Sequence, residues 1–346
     1  MNNPTTCITR AAVLASLGAI LAAPLLTHAV AGDAPTAEEL LADMPLSDDE
    51  KKKVMAGELV TIGLTNPTSD RELGVGIAFL IKTPPEGLVD EFARGVGYEE
   101  DEMATAFGVM TPDATVADLA DVHLAPNTAK ATQLYLDAAP GDTLNLDKGE
   151  IAAFKALGAG AKPEAIEAEI RKMLLARFNA YRTKGTAGIE PYVRKGEEPY
   201  MPGNDLDLVA HVDTNVLEKH FPEFYKALQD YPRYKPDGLE EAFFWVNFSI
   251  DDLPTFTLVH KMGMQVGDGY VLGERHYYVS RSHNVITIAV AVYPAKEGAV
   301  VFYGNRTSTD QVAGFGSSAK HSIGRKIMAK QIAALFEESR VDAAKQ

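Results

Sequence analysis

Residues 243–340 leave this chain the fewest folding options. A run of strand-forming residues, FFWVNFSIDDLPTFTLVHKMGMQ, is interrupted only by the turn signal Asp251-Asp252-Leu253-Pro254. YVLGERHYYVS, NVITIAVAVY and AVVFYGNRT follow, separated by Gly267-Asp268-Gly269, Arg281-Ser282-His283 and Lys296-Glu297-Gly298. β-Branched and aromatic residues suit a pleated, extended backbone, and short polar or glycine-rich breaks suit tight turns, so the pattern predicts consecutive antiparallel hairpins. After Gly314-Phe315-Gly316 the period changes. Ile323, Ile327, Met328, Ile332, Leu335 and Phe336 recur at three- and four-residue spacing, which predicts one long helix with an apolar stripe. Ser317 or Ser318 is its expected N-cap. Gly324 costs a helix about 1 kcal/mol against alanine, so it predicts a close approach to the sheet.

The other end of the chain has a different character. Arg10, the uncharged run AAVLASLGAILAAPLL and Ala29-Val30-Ala31 have the layout of an export leader spanning residues 1–31. Its apolar run is short of the roughly 20 residues that a membrane span needs. The only cysteine, Cys7, lies inside that leader. A mature chain without disulfides, thiolate nucleophile or cysteine metal ligand is expected, and the bacterial periplasm is the expected location. Removing a leader whose only charge is Arg10 takes the net charge from −15 to −16, which excludes nucleic acid as an expected partner.

Residues 32–56 are acidic and predict a loose lead-in with one short helix around 36–43. Strands are predicted at 57–64 and 72–82, and Pro84-Pro85 opens a helix over 86–94. From 116 to 181 the pattern is helical, with Asp147 and Glu150 spaced as a capping box and Pro163 at a helix start. Residues 185–204 predict a turn-rich connection, and VLEKHFPEFYKALQDY a further helix.

Strand, strand, Pro-Pro, helix, helical stretch, strands and final helix is an order that resembles the helix-grip fold of the START-like (SRPBCC) lipid-binding superfamily. GIAFLIKTPPEGLVDEF and residues 314–340 carry the resemblance, and it covers about half of the mature chain. The resemblance implies an α+β fold in which a curved antiparallel sheet wraps a long C-terminal helix around an apolar cavity. The domain would then span 57–346, with a mainly helical insertion at about 95–238.

In the strand over 285–293, Ile286, Ile288, Val290 and Val292 alternate with Thr287, Ala289 and Ala291. Both faces are apolar enough to be covered. The small residues Thr287, Ala289 and Ala291 leave space that either a ligand or close helix packing fills, and the expected lid is Ile323, Ile327 and Met328. His260 shares a face with Phe256, Leu258, Met262 and Met264, as a core residue or as part of that cavity. Strand alternation puts Glu274, His276 and Tyr278 on one face, where they either orient a polar head group, do acid–base work or pair on the surface. The histidines fall at no metal-ligand spacing, and no GxSxG, P-loop or dinucleotide fingerprint occurs, so neither metal nor cofactor is expected. Lys320, Arg325, Lys326 and Lys330 form a basic helix face, either simply solvated or touching anionic lipid or an acidic partner. The functional expectation is a periplasmic carrier of an apolar, lipid-like ligand. The alternatives are a cyclase or hydrolase using the same cavity, as START-like relatives imply, and an interaction module acting through the helical insertion.

Overall fold

The computed structural model describes residues 34–63, 69–82, 84–85, 98, 101–212, 214–314 and 316–343, side chains excepted at 208–215, 317 and 335–343. The expected leader, the helix expected at 86–94 and the side chains of Leu335 and Phe336 lie outside the described residues. The fold is α+β. Eight strands form one open antiparallel sheet in the order β1-β2-β10-β9-β8-β7-β6-β3. Its strands are β1 (Val60–Ile62), β2 (Glu72–Ile81), β3 (Ala104–Val109), β6 (Glu240–Ile250), β7 (Leu253–Val266), β8 (Gly269–Val279), β9 (Val285–Ala295) and β10 (Gly298–Ser308). The hairpins β6 to β10 are the predicted meander. A two-stranded ribbon, β4 (Tyr192–Val193) and β5 (Pro199–Tyr200), stands apart.

The lead-in is structured rather than loose. It forms α1 (Ala37–Asp43) and α2 (Asp48–Met55), each closed by a reciprocal capping box, Thr36 with Glu39 and Ser47 with Glu50. Leu40, Leu41 and Val54 are buried against Ala78, Leu80 and Phe302 of the sheet. The stretch expected as an insertion contributes α3 (Thr128–Leu136), α4 (Lys148–Ala156), α5 (Pro163–Lys184), α6 (Pro202–Val212), α7 (Thr214–His220) and α8 (Pro222–Asp230). Asp147 caps α4 in the predicted box with Glu150, and Pro163 opens α5. The stretch read as turns ends in α6, and the single helix expected after it is two, α7 and α8, parted at Phe221.

Period-two alternation gives the sheet two different faces. One, the insertion face, packs Phe243, Trp245, Phe256 and Leu258 against Phe154, Ile170, Leu174 and Phe178. Further along the same face, Ala291, Val300 and Phe302 pack with Leu40, Val54, Phe224 and Leu228. The other, the helix face, joins Leu73, Ile77, Ile288 and Val301 to Met328 and Ile332 of α9 (Ser317–Ala343), which lies along β2. At its far end Phe244, Val246, Phe248 and Val259 surround Tyr98.

Gly324 explains how α9 sits. A Cβ there would come within 3.1 Å of both Leu73 methyl carbons, so glycine lets the helix settle against β2. His321, four residues behind Arg325, is buried too and donates from Nε2 to the Asp70 carbonyl at 2.8 Å.

Candidate functional site

Strand register gathers polar side chains in the middle of the helix face. Lys261, Glu274, Ile288, Asn305 and Val75 lie opposite one another across five strands. The neighbouring row is Val259, His276, Ile286, Thr307 and Leu73. Lys261 Nζ donates to Glu274 Oε2 at 3.1 Å, and His276 Nε2 donates to Glu274 Oε1 at 2.6 Å. The three are buried, at 1%, 5% and 0% exposure respectively. Asn305 donates to the Tyr303 hydroxyl and accepts from Thr307 on the same side. An apolar cluster flanks this polar centre at each end.

Burial pushes the Glu274 carboxyl upward, but the Lys261 charge and the His276 hydrogen bond outweigh it, and the net shift is downward. Burial also lowers the Lys261 ammonium, with Glu274 opposing. That ammonium stands 4.5 Å from the Tyr98 ring centroid and 5.7 Å from that of Phe244, within cation–π range. The Tyr98 phenol is pushed well above its ordinary value by burial and by Glu274. Burial, with the neighbouring His276, drives His283 down to about 3, so its ring is neutral at physiological pH.

The cluster is incompletely satisfied. Among the described residues the Tyr98 hydroxyl, His276 Nδ1, His283 Nε2 and Thr257 Oγ1 are buried without a hydrogen-bond partner, and the His276 and His283 rings are 6.3 Å apart. Leaving one such group buried and unpaired costs about 1–3 kcal/mol. Because Nε2 of His276 donates to Glu274, a neutral His276 offers Nδ1 as an acceptor, while Tyr98 and Thr257 can both donate and accept. The chemistry available is hydrogen bonding to a polar group, with a carboxylate-oriented imidazole among the donors and acceptors.

Of the residues expected to line a cavity, Glu274 and His276 come together as alternation predicts. Tyr278 does not join them. Tyr278 pairs with Leu258 and His276 with Val259, so Tyr277 is an extra, bulged residue and the alternation flips. Tyr278 therefore packs on the insertion face, its ring 4.3 Å from the Arg177 guanidinium.

His260 also belongs to the insertion face. Its Nε2 donates to Glu241 at 3.3 Å, its Nδ1 accepts from the Tyr181 hydroxyl at 3.1 Å, and it stacks on Phe243 at 4.3 Å. Burial lowers it to about 4, only partly opposed by Glu241. Both ring nitrogens are used, which makes it a core residue.

Thr287, Ala289 and Ala291 are corrected in the same way. Ala291 packs with α1 and α8 on the insertion face, whereas Ile286, Ile288, Val290 and Val292 meet Met328 and Ile332. The small residues and α9 are on opposite sides of the sheet. Ile323 is 52% exposed and Ile327 half-buried. The buried stripe is His321, Gly324, Met328 and Ile332, because the glycine and not Ile323 meets β2. Lys320 and Arg325 donate to the Ala313 and His321 carbonyls, and Lys326 and Lys330 are exposed.

Lys261, Tyr98 and His283 are not among the site residues expected from sequence. Lys261 had a signal, a lone lysine inside the apolar run FTLVHKMGM; Tyr98 and His283 had none. Among the described residues no group of three or more His, Cys, Asp or Glu is arranged to hold a metal ion, and no helix is long and apolar enough to cross a membrane. Comparison of the chain with family models, with curated proteins and with solved structures finds no match.

Proposed function

We propose that the protein binds an amphipathic, lipid-like small molecule on the helix face, in the helix-grip manner of START-like proteins. The polar head would meet Lys261, Glu274, His276 and Tyr98, and the apolar body would lie along the flanking clusters. In this reading the chain is an exported carrier working in the periplasm. One observation carries the proposal: a buried Lys–Glu–His chain ends in unpartnered polar atoms between two apolar clusters. An apolar wall with a few convergent polar groups is the usual composition of a small-molecule site.

A second reading, acid–base catalysis on such a ligand, is favoured by the Glu274–His276 contact at 2.6 Å. That contact orients an imidazole as a carboxylate orients a general base. The test is a titration of the full chain with environment-sensitive fluorescent analogues of a fatty alcohol and a fatty acid. Saturable binding that weakens in His276→Ala supports the site. Equal binding in wild type and His276→Ala overturns it. Chemical change of the recovered analogue, lost in the variant, selects the enzyme over the carrier.

A further inference from the structure

The insertion face holds a buried side chain that carries a full charge and is only partly satisfied. Among the described residues four Lys and Arg side chains are almost completely buried: Arg177, Lys261, Arg275 and Arg306. Arg177 is paired with Glu150, Lys261 with Glu274 and Arg306 with Glu72. Among the described residues Arg275, 1% exposed, makes no ion pair. Its guanidinium hydrogen-bonds the Tyr181 hydroxyl, and only its Nε is without a partner among the described residues. Glu241, on the same face, is engaged by His260 and by Lys235. A guanidinium cannot escape by losing its proton, so its burial asks for an anion.

The surroundings have room for one. Thr287 is the register partner of Arg275 on β9, and its Oγ1 is buried without a partner. In the adjoining row Gly273, Ala289 and Gly304 stand side by side on β8, β9 and β10. Ala289 and Gly304 remain half-buried although their strands are in the interior of the sheet. Among the described side chains and backbone, a Cβ on Gly304 would meet only the Ala289 carbonyl oxygen, at 3.9 Å. Solvent thus reaches the sheet here, between the two apolar clusters of this face, with α6 packed nearby on β8 and β9.

We propose that this hollow is a carboxylate-binding site on the face opposite the first. The Arg275 guanidinium, through Nε–H and an adjoining N–H, donates to the two carboxylate oxygens, and the Thr287 hydroxyl donates to one of them. A short aliphatic body lies over Ala289 and Gly304. One unpaired guanidinium with a planar fork of donors matches a singly charged, planar anion better than a phosphate.

The test is calorimetric titration and thermal melting of the full chain with butyrate, hexanoate, butyramide and inorganic phosphate. Butyrate and hexanoate are expected to bind saturably and raise the melting temperature, butyramide to do neither, and phosphate to bind more weakly than butyrate. Arg275→Met is expected to melt no lower than wild type, since it removes an unpaired buried charge, and to bind butyrate about a hundredfold more weakly or worse. If that variant does not fold, Thr287→Val decides, with about tenfold weaker butyrate binding expected from the lost hydrogen bond. Equal response to butyrate and butyramide, phosphate binding without butyrate binding, or undiminished butyrate binding in the folded variants would each overturn the assignment.

Discussion

Lys261→Met puts the polar centre of the helix face under the sharpest strain. The ammonium and the Glu274 carboxylate are 3.1 Å apart, with side-chain exposures of 1% and 6%. At an effective dielectric constant near 20 their attraction is about 5 kcal/mol. Removing the lysine leaves a buried carboxylate supported only by His276, at an expected cost of about 3–5 kcal/mol. Glu274→Gln strands the ammonium over Tyr98 at a comparable cost, though the amide oxygen still accepts from His276. The double variant Lys261→Met/Glu274→Gln removes both charges and should lie within about 1 kcal/mol of wild type, since an apolar replacement of a buried pair is often neutral.

The stability of each is read from urea unfolding at pH 7. The deficit of Lys261→Met should also shrink on acidification. Without the lysine, burial raises the folded-state Glu274 pKa above its unfolded value, so the variant recovers stability below that range and loses it as pH rises through the folded-state value. Single variants within about 1 kcal/mol of wild type, or a double variant as unstable as the two singles summed, would refute the reasoning.

Further expectations concern other parts of the fold. Stability should fall with acid between pH 6.5 and 3, because His260 and His283 stay neutral in the fold down to about 4 and about 3 while the unfolded chain takes up protons near 6.5. At about 1.4 kcal/mol per pH unit the loss is on the order of 3 kcal/mol for His260 and 5 kcal/mol for His283; a urea midpoint that holds constant from pH 7 to pH 4 contradicts it. Gly108→Ala should destabilise by about 1–3 kcal/mol and shift the emission of the single tryptophan, since the new Cβ would lie 2.5 Å from Trp245 Nε1; an unchanged spectrum and melting temperature count against this packing. Ala289→Trp should leave binding of the fluorescent lipid analogues unchanged while abolishing the butyrate response. Lost analogue binding in a folded variant would mean that the two faces are wrongly assigned.

The parts legible in the sequence are those that local periodicity dictates. Alternation and turn chemistry located β6 to β10, the three-and-four spacing located α9, and Gly324 announced its contact with Leu73. Alternation also brought Glu274 and His276 to one face. It failed two residues later, at Tyr278, because the bulge at Tyr277 is set by pairing with β7, and no residue type in ERHYYV marks it. The opposition of Thr287, Ala289 and Ala291 to α9 is a matter of which face each element chooses, and both faces of that strand are apolar. Lys261 and Glu274 are thirteen positions apart and meet only through register. Two further misses have local causes. The lead-in looked loose because its acidic residues are the capping and first-turn groups of α1 and α2, and β3 is short and only half-buried, so its pattern is faint.

Native mass spectrometry of the full chain, purified from its source organism and compared with the Lys261→Met/Glu274→Gln variant, tests the central claim most directly. The wild type should carry a noncovalent adduct of lipid-like mass that is released on denaturation, and the folded double variant should carry little or none. Equal adduct on both proteins would show that Lys261 and Glu274 hold no ligand, and the helix-face site would have to be abandoned.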